Sequence, residues 1–248
     1  GSGKSYNARD ISTLTKEDYF KDGHALTTYI QEHYLKEKIY LMGESWGSYL
    51  AIKLATEHPE DYHAIVNTGQ MVDFAETEVY CYNKAYEIAL ERNDKQQLKA
   101  LDNLGEVPLT EGNISIESGT YLLYLHQYMN SKGEVKHTDY YTFDSLFSPE
   151  YSVMDSINFM RALLNTFSQV YKQLYEEDLR ETNTTLEVPI YILHGVHDVN
   201  APTYLVEDYY DQITAPDKAL IWFEQSGHSV WFTENELFAE TVKDLLLK

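Results

Sequence analysis

The chain has 248 residues, 43% of them hydrophobic, which is enough to bury a sizeable core in one large domain or in a domain with an insertion. Its formal net charge of −21 argues against nucleic acid and anionic membrane surfaces as partners, because both would repel it. We therefore expect a soluble protein with a solvated acidic surface.

The cysteine content and the hydropathy of the sequence indicate in which compartment the protein resides. The single cysteine, Cys81, cannot form an internal disulfide and suits a reducing compartment. No run approaches the roughly 20 apolar residues of a membrane span, and no signal peptide opens the sequence. These features predict a cytoplasmic location.

The first elements in chain order are two helices that flank a short strand. Thr15 to Leu35 predicts a helix, with Thr15 as its N-cap and acidic residues in the first turn. Lys38 to Met42 is a nearly continuous apolar run, typical of a strand buried in a parallel sheet. Trp46 to Glu57 then predicts a second helix.

Three further strands are predicted, and helical patterns lie between them. They are Tyr62 to Asn67, Val188 to Leu193 and Ala219 to Phe223, and Glu234 to Leu247 is predicted to form the terminal helix. Strands that alternate with helices indicate an α/β protein with a mostly parallel sheet.

The long middle section interrupts this alternation. Residues 74–187 are rich in Tyr, Glu and Leu at helical spacing, and convincing strands are hard to find there. We therefore predict three segments. Residues 1–73 and 188–248 form the α/β core, and residues 74–187 form a helical cap over the carboxyl edge of the sheet, where ligands bind in open α/β folds.

A nucleophile motif lies between the first predicted strand and the helix that follows it. Residues 43–47, Gly-Glu-Ser-Trp-Gly, fit G-x-S-x-G, a sharp strand-to-helix turn that presents the serine hydroxyl. We expect both glycines to be required, because the tight turn leaves no space for side chains. Ser45 is therefore the candidate nucleophile.

The residues that would activate a serine occur later in the chain, in the order that this turn predicts. Asp198 follows the third strand and His228 follows the fourth, so both would lie at the same sheet edge as Ser45. His194 and His197 are less suitable bases, because the first precedes Asp198 and the second adjoins it. The remaining histidines occur singly and are expected to be packed or solvated: His24, His33, His58, His63, His126 and His137.

No cofactor or metal is expected. The opening residues, Gly1 to Ser5, look like the end of a phosphate-binding loop, but the upstream glycine and the preceding strand are missing. No histidine or cysteine cluster has the sequence spacing of a metal site. The backbone N–H of Trp46 should serve as one oxyanion-hole donor, and a loop after an earlier strand should supply the other.

Only 44 residues precede Ser45, too few for the strands that come before the nucleophile in the complete fold. The sequence is therefore expected to be a C-terminal fragment that begins just after the fourth strand. The edge of the strand at Lys38 to Met42 would then be exposed, which favours self-association.

Together these motifs resemble the prolyl iminopeptidase-like branch of the α/β-hydrolases. The resemblance rests on the elbow, the Asp198 and His228 loops, and residues 1–6, 68–73 and 148–152. It implies an α/β-hydrolase fold with a helical cap and a triad of Ser45, Asp198 and His228. The family's His-Gly-Gly-Pro-Gly-like oxyanion loop and Asp-Gln-Arg-Gly-like turn lie outside this sequence.

The resemblance also suggests where substrate would bind. Prolyl iminopeptidases hold the free amine of the substrate with cap carboxylates, and Glu76 or Glu78 could supply them here. The alternative for both is a solvated helix start. Glu44, the variable residue of the elbow, is either a substrate-binding residue or a side chain near the pocket floor without a chemical role.

Three functions stay open from the sequence. The first is a serine aminopeptidase that acts on small peptides through an acyl-enzyme. The second is a carboxylesterase of small acyl esters with a Tyr-lined pocket. The third is an inactive fragment that self-associates.

Overall fold

The computed structural model describes residues 1–132, 146 and 148–247. His137, one of the singly occurring histidines, lies outside the described residues, as do the rest of residues 133–145 and residue 147 in the predicted cap.

Four parallel strands form the sheet at the centre of the fold. They are β1 (Ile39–Glu44), β2 (Tyr62–Thr68), β3 (Ile190–Gly195) and β4 (Lys218–Phe223), and they lie side by side in chain order. Thr68, at the end of β2, is aligned with Glu44 of β1 and with Leu193 of β3. This arrangement confirms the predicted α/β fold class.

Burial differs between the inner and the outer strands. Every residue of β3 is buried, as the apolar run at its start predicts. In β1, by contrast, Tyr40 and Met42 are about half exposed. Among the described residues β1 pairs only with β2, so its other edge is free, as the sequence predicts.

Two helices flank β1 in the amino-terminal part of the chain. Helix α1 (Lys16–Tyr34) begins with a capping box, in which Thr15 and Asp18 satisfy each other's backbone amides. Helix α2 (Trp46–Glu57) has the predicted bounds and buries Tyr49 and Ile52 against the sheet.

The carboxyl-terminal helices differ from the prediction. After α8 (Thr203–Gln212), a short helix α9 (Val230–Thr233) precedes α10 (Asn235–Leu246). The single terminal helix predicted from Glu234 is thus preceded by a separate turn, and Glu234 itself is not helical. Its carboxylate instead accepts hydrogen bonds from the Gln225 amide and the Ser226 hydroxyl, which fixes this break.

The segment between β2 and β3 is helical where the structure describes it. It contains α3 (Phe74–Glu91), α4 (Lys95–Asp102), α5 (Ile114–Asn130), α6 (Val153–Tyr171) and α7 (Leu179–Thr182). Its described residues include no strand, and only the isolated bridges Asp73–Asp178 and Thr185–Thr214 occur near its ends. α3 and α5 share an apolar cluster of their own around Cys81 and Tyr121.

Arg180 joins this helical segment to the rest of the fold. Its guanidinium lies within 3.2 Å of carboxylate oxygens from Asp73, Glu76, Asp178 and Asp208, which belong to the start of α3, the start of α7 and α8. These carboxylates raise the pKa of Arg180, since each stabilises its positive charge.

None of the helices in the described part of the chain combines the length and the apolar character needed to cross a membrane.

Candidate active site

Ser45 lies in a strained turn between β1 and α2. Its backbone has φ 55° and ψ −129°, which is unusual for a residue with a side chain. The Ser45 amide donates a hydrogen bond to the Thr68 carbonyl at 3.0 Å, so the turn is held against the end of β2. This is the geometry that G-x-S-x-G predicts for a nucleophile.

The two glycines of the motif have different roles. A Cβ on Gly43 would overlap the carbonyl group of Gly47, so the backbone of α2 passes directly against β1 at this point. A Cβ on Gly47 would meet no atom within 4 Å. The expectation that both glycines are required is therefore correct for Gly43 and wrong for Gly47.

Ser48 fixes the turn from the opposite side. Its hydroxyl donates to the Ser45 carbonyl at 2.5 Å and accepts from the Met71 amide at 2.9 Å. The side-chain amide of Asn67 donates to the Ser48 carbonyl at 3.1 Å. Ser48, Asn67 and Met71 are buried, so the Ser45 turn and the turn after β2 form one hydrogen-bonded unit.

Asp198 and His228 form a buried pair at the carboxyl edge of the sheet. Oδ2 of Asp198 lies 2.8 Å from Nδ1 of His228, and Oδ1 accepts from the backbone amides of Asn200 and Ala201. Burial opposes the charge on Asp198, but the two histidines beside it and these hydrogen bonds hold the pKa of its carboxyl below the usual value.

The competing histidines are placed differently. His194 is fully buried, and its Nε2 lies 3.6 Å from Asp198 and 3.1 Å from the Ala201 carbonyl. Burial lowers the pKa of His194, so its neutral form is favoured. His197 contacts the Glu224 carbonyl. The geometry thus makes His228 the closest partner of Asp198.

The His228 ring lies against the turn that holds Ser45. A Cβ on Gly69 would lie 2.8 Å from Cε1 of His228, and Gly69 directly follows Thr68, which accepts from the Ser45 amide. Within the described residues, the buried Nε2 of His228 makes no hydrogen bond. The structure thus brings His228 to the elbow but forms no hydrogen bond from Nε2 to the Ser45 hydroxyl.

Glu44 contacts the His228 loop, although the sequence suggested a place near the pocket floor. Its Oε1 accepts from the Ser229 hydroxyl at 2.8 Å and from the Trp231 indole N–H at 2.6 Å. Burial opposes the charge on His228, but Asp198 and then Glu44 more than offset it and raise the pKa of the imidazole.

The two cap glutamates face different partners. Glu76 accepts from Arg180 at 2.8 Å and from the Tyr204 hydroxyl at 3.0 Å, so it is engaged in the ion-pair group rather than solvated. Glu78 is 2% exposed and accepts from the Tyr121 hydroxyl at 2.5 Å. Burial raises the pKa of Glu78. The alternative of a solvated helix start is therefore wrong for Glu78.

An apolar cavity of about 230 Å³ lies beside the residue that follows the nucleophile. It is lined by Trp46, by Tyr19 of α1, which makes an edge contact with Trp46, and by Phe167 and Tyr171 of α6. Among the described residues, no charged side chain lines it. The sequence suggested a Tyr-lined pocket for an esterase but not its position, although Phe167 and Tyr171, four apart in α6, mark one helix face.

Trp46 occupies the first position of α2. The first four amides of a helix have no partner within it, so the Trp46 N–H is available for a ligand beside Ser45. Its role as an oxyanion donor stays a prediction.

Sequence comparison finds similarity to proteins described as aminopeptidases. Residues 1–120 match the family described as serine aminopeptidase, S33. The "Probable aminopeptidase YbaC" of Bacillus subtilis (strain 168) is 27% identical over 247 residues, which is 98% of this chain and 76% of that protein.

Two solved structures share the fold. Proline iminopeptidase from Mycobacterium smegmatis superposes with a TM-score of 0.63 and 17% identity over 96% of this chain and 73% of that one. An α/β fold family hydrolase from Bacillus anthracis str. Sterne gives a TM-score of 0.53 and 21% identity over 95% and 76%. The predicted resemblance and α/β-hydrolase fold are thereby confirmed.

The two glycines of the elbow give a direct test of the turn. Gly43→Ala should destabilise the protein by more than about 1 kcal/mol, because α2 would have to move away from β1. Gly47→Ala should be neutral or stabilise it by up to about 1 kcal/mol, because alanine favours a helix over glycine. Urea unfolding followed by circular dichroism measures both. Equal losses in the two variants would contradict this account.

Proposed function

We propose that this chain, an α/β-hydrolase enzyme, cleaves amides or esters through an acyl-enzyme formed on Ser45. One observation carries the proposal. The strained Ser45 turn and the Asp198–His228 pair meet at the same sheet edge, where the His228 ring lies on Gly69 and the Ser45 amide binds Thr68. A serine, a buried imidazole and a carboxylate in that order are the parts of a catalytic triad.

Each residue then has a defined role. Ser45 Oγ attacks the substrate carbonyl carbon while His228 Nε2 takes its proton. Asp198 holds the imidazole by Nδ1 and stabilises its positive charge. The Trp46 N–H donates to the oxygen that becomes negative. His228 then gives the proton to the leaving group, and water hydrolyses the acyl-enzyme by the same steps.

For the substrate, we propose a small peptide with a free amino terminus and an apolar first residue. The match to serine aminopeptidases supports the reaction type. The cavity beside Trp46 is apolar and aromatic, so it suits a ring or a branched side chain, including proline. In this proposal residues 74–187 act as the cap and supply its α6 wall.

Glu76 and Glu78 have unequal standing as amine-binding groups. Glu76 is engaged by Arg180, which already balances its charge. Glu78 lies behind the cavity, since Tyr171 lines the cavity and packs against the apolar cluster that contains Tyr121, whose hydroxyl donates to Glu78. Of the two, we propose Glu78 as the carboxyl group that recognises the substrate amine.

The apolar cavity favours a second candidate, a carboxylesterase of small acyl esters, because no charged side chain among its described lining residues would recognise an amine. The third candidate, an inactive protein that self-associates, draws on the free edge of β1 with its exposed Tyr40 and Met42. A cytoplasmic location stays a prediction.

The first prediction for this function concerns the nucleophile. A fluorophosphonate probe should label the protein at Ser45, and Ser45→Ala should abolish labelling and lower kcat/KM by roughly 10⁴-fold or more. Ser115→Ala, a change of the same residue type in α5, should label normally. Peptide mapping identifies the modified residue. Labelling at another serine would remove Ser45 from this role, and a folded but unlabelled protein would favour the inactive, self-associating candidate.

A second prediction separates the two reactions. A prolyl or leucyl arylamide with a free amine should be cleaved with a higher kcat/KM than its N-acetyl derivative, because a free amine can use the buried carboxylate. A short acyl ester of the phenol that corresponds to the aryl amine serves as the comparison. A strong preference for the uncharged ester and the acetylated amide would establish the esterase instead.

A further inference from the structure

Three possible metal ligands from two distant segments of the chain come together at the end of α2. They are His24 of α1, His58, which caps the end of α2, and Asp61 in the turn before β2. One donor atom from each lies within 4.8 Å of the others. The sequence spacing of histidines and cysteines predicts no metal site, whereas the fold brings these three residues together.

We propose that His24, His58 and Asp61 form a binding site for one Zn²⁺ ion. Imidazole nitrogens and carboxylate oxygens are the ligands that Zn²⁺ takes in proteins, with a fourth position open to water. Of the three side chains, His24 contributes Nδ1 and Asp61 contributes Oδ2.

The separation of two of these atoms fits a shared metal ion. His24 Nδ1 lies 3.3 Å from Asp61 Oδ2. Two ligands at about 2.0–2.1 Å from a tetrahedral zinc ion are about 3.3–3.4 Å apart. Both atoms are buried, and apart from their 3.3 Å contact with each other neither has a hydrogen-bond partner among the described residues. Buried polar atoms normally have a partner, and a cation between them would satisfy both.

The surrounding contacts hold the ligands in place. Oδ1 of Asp61 accepts from the Gln31 side chain at 3.1 Å, which leaves Oδ2 directed to other partners. The rings of His24 and His58 are stacked with centroids 3.7 Å apart. Gly23 permits α1 to approach α2 closely at this point, because a Cβ there would lie 2.9 Å from the Leu54 side chain. Stacked rings hold their in-plane lone pairs in parallel planes, so binding of one ion by both imidazoles requires at least one ring to rotate out of the stack.

The proposed ion would be structural. The site lies at the far end of α2 from Ser45, and a helix of 12 residues is about 18 Å long. An ion there cannot reach the Ser45 hydroxyl or its substrate. It would instead tie α1 to the connection between α2 and β2, and it would stabilise the folded protein, which alone assembles the three ligands.

Titration with ZnCl2 in the presence of a weak competing chelator tests the site. We expect one Zn²⁺ per chain and a rise in Tm on binding. Replacing a ligand should weaken binding by about tenfold or more, the cost of losing even an outer-shell partner. His24→Ala and His58→Asn should therefore bind at least that much more weakly. His33→Ala, which changes an exposed histidine elsewhere on α1, should bind as the parent does.

Co²⁺ gives an independent readout, because its visible absorption reports ligand number and geometry. Absorption typical of tetrahedral coordination should appear in the parent and in His33→Ala and be lost in His24→Ala. Equal Zn²⁺ affinity in all variants, or no saturable binding by the parent, would overturn the proposal. Circular dichroism confirms that each variant is folded.

A second inference concerns Glu44 and rests on the proposed function. The geometry points to Glu44 as a positioning residue that holds the His228 loop against the elbow and stabilises the protonated imidazole. One oxygen of its carboxylate, Oε1, accepts hydrogen bonds from both Ser229 and Trp231, which follow His228 in the chain. Because Glu44 directly precedes Ser45, the nucleophile turn and the base loop are fastened together beside the reacting groups.

The charges around His228 give this role a measurable sign. Asp198 is hydrogen-bonded to the ring, His194 lies beyond Asp198, and Glu44 is the further carboxylate that acts on the imidazole. The two carboxylates raise the pKa of His228 despite burial. A base must be neutral to act, so kcat/KM should rise with pH through a midpoint above the ordinary histidine value of about 6.5.

Glu44→Gln removes the charge and keeps a side-chain oxygen that can accept both hydrogen bonds. The midpoint should therefore fall by about half a pH unit or more. Glu44→Ala removes the tether as well and should also lower the limiting kcat. Glu234→Gln is the matched control, because Glu234 binds the same loop through Gln225 and Ser226, and its midpoint should stay at the parent value.

The result distinguishes this inference from the proposed function. If the fluorophosphonate probe labels Ser45 but Glu44→Gln keeps the parent midpoint, only the role of Glu44 is overturned. If the parent is not labelled at all, the proposed function fails first.

Discussion

The structure depends on the close approach of α2 to the end of β1. At Gly43 the backbones of the strand and the helix are so close that no side chain fits between them. This contact forces the residue between them, Ser45, into a left-handed conformation. The same turn directs the first amides of α2 to the sheet edge, where the other strand ends bring Asp198 and His228. Backbone packing thereby sets the positions of the side chains that carry the chemistry.

Much of this arrangement could be predicted from the sequence, because it follows from local patterns. The bounds of α2 and the parallel order of the strands were predicted from hydrophobic periodicity, and Ser45, Asp198 and His228 from their order after successive strands. The break before α10 was missed, because it depends on hydrogen bonds that the Glu234 carboxylate accepts from residues nine and eight positions earlier.

Contacts between distant segments explain the other differences. Glu78 has the sequence context of a solvated helix start, yet α5 covers it and places Tyr121 on its carboxylate. Gly47 satisfies the motif, but the space around it is open. His24, His58 and Asp61 carry no common motif, and only the packing of α1 on α2 brings them together. Tertiary neighbours of this kind leave no periodic signal in one sequence.

The contact between Gly69 and His228 has a consequence for how the site can change. The imidazole rests on a residue that has no side chain and that itself adopts a left-handed conformation, with φ +50°. The position of the proposed base is thus encoded partly in a residue without any functional group. Substitutions in the short turn after β2 would displace the ring by ordinary steric exclusion while leaving all three triad residues in the sequence. Two homologues with identical triads can therefore differ in activity, and a motif search would not distinguish them.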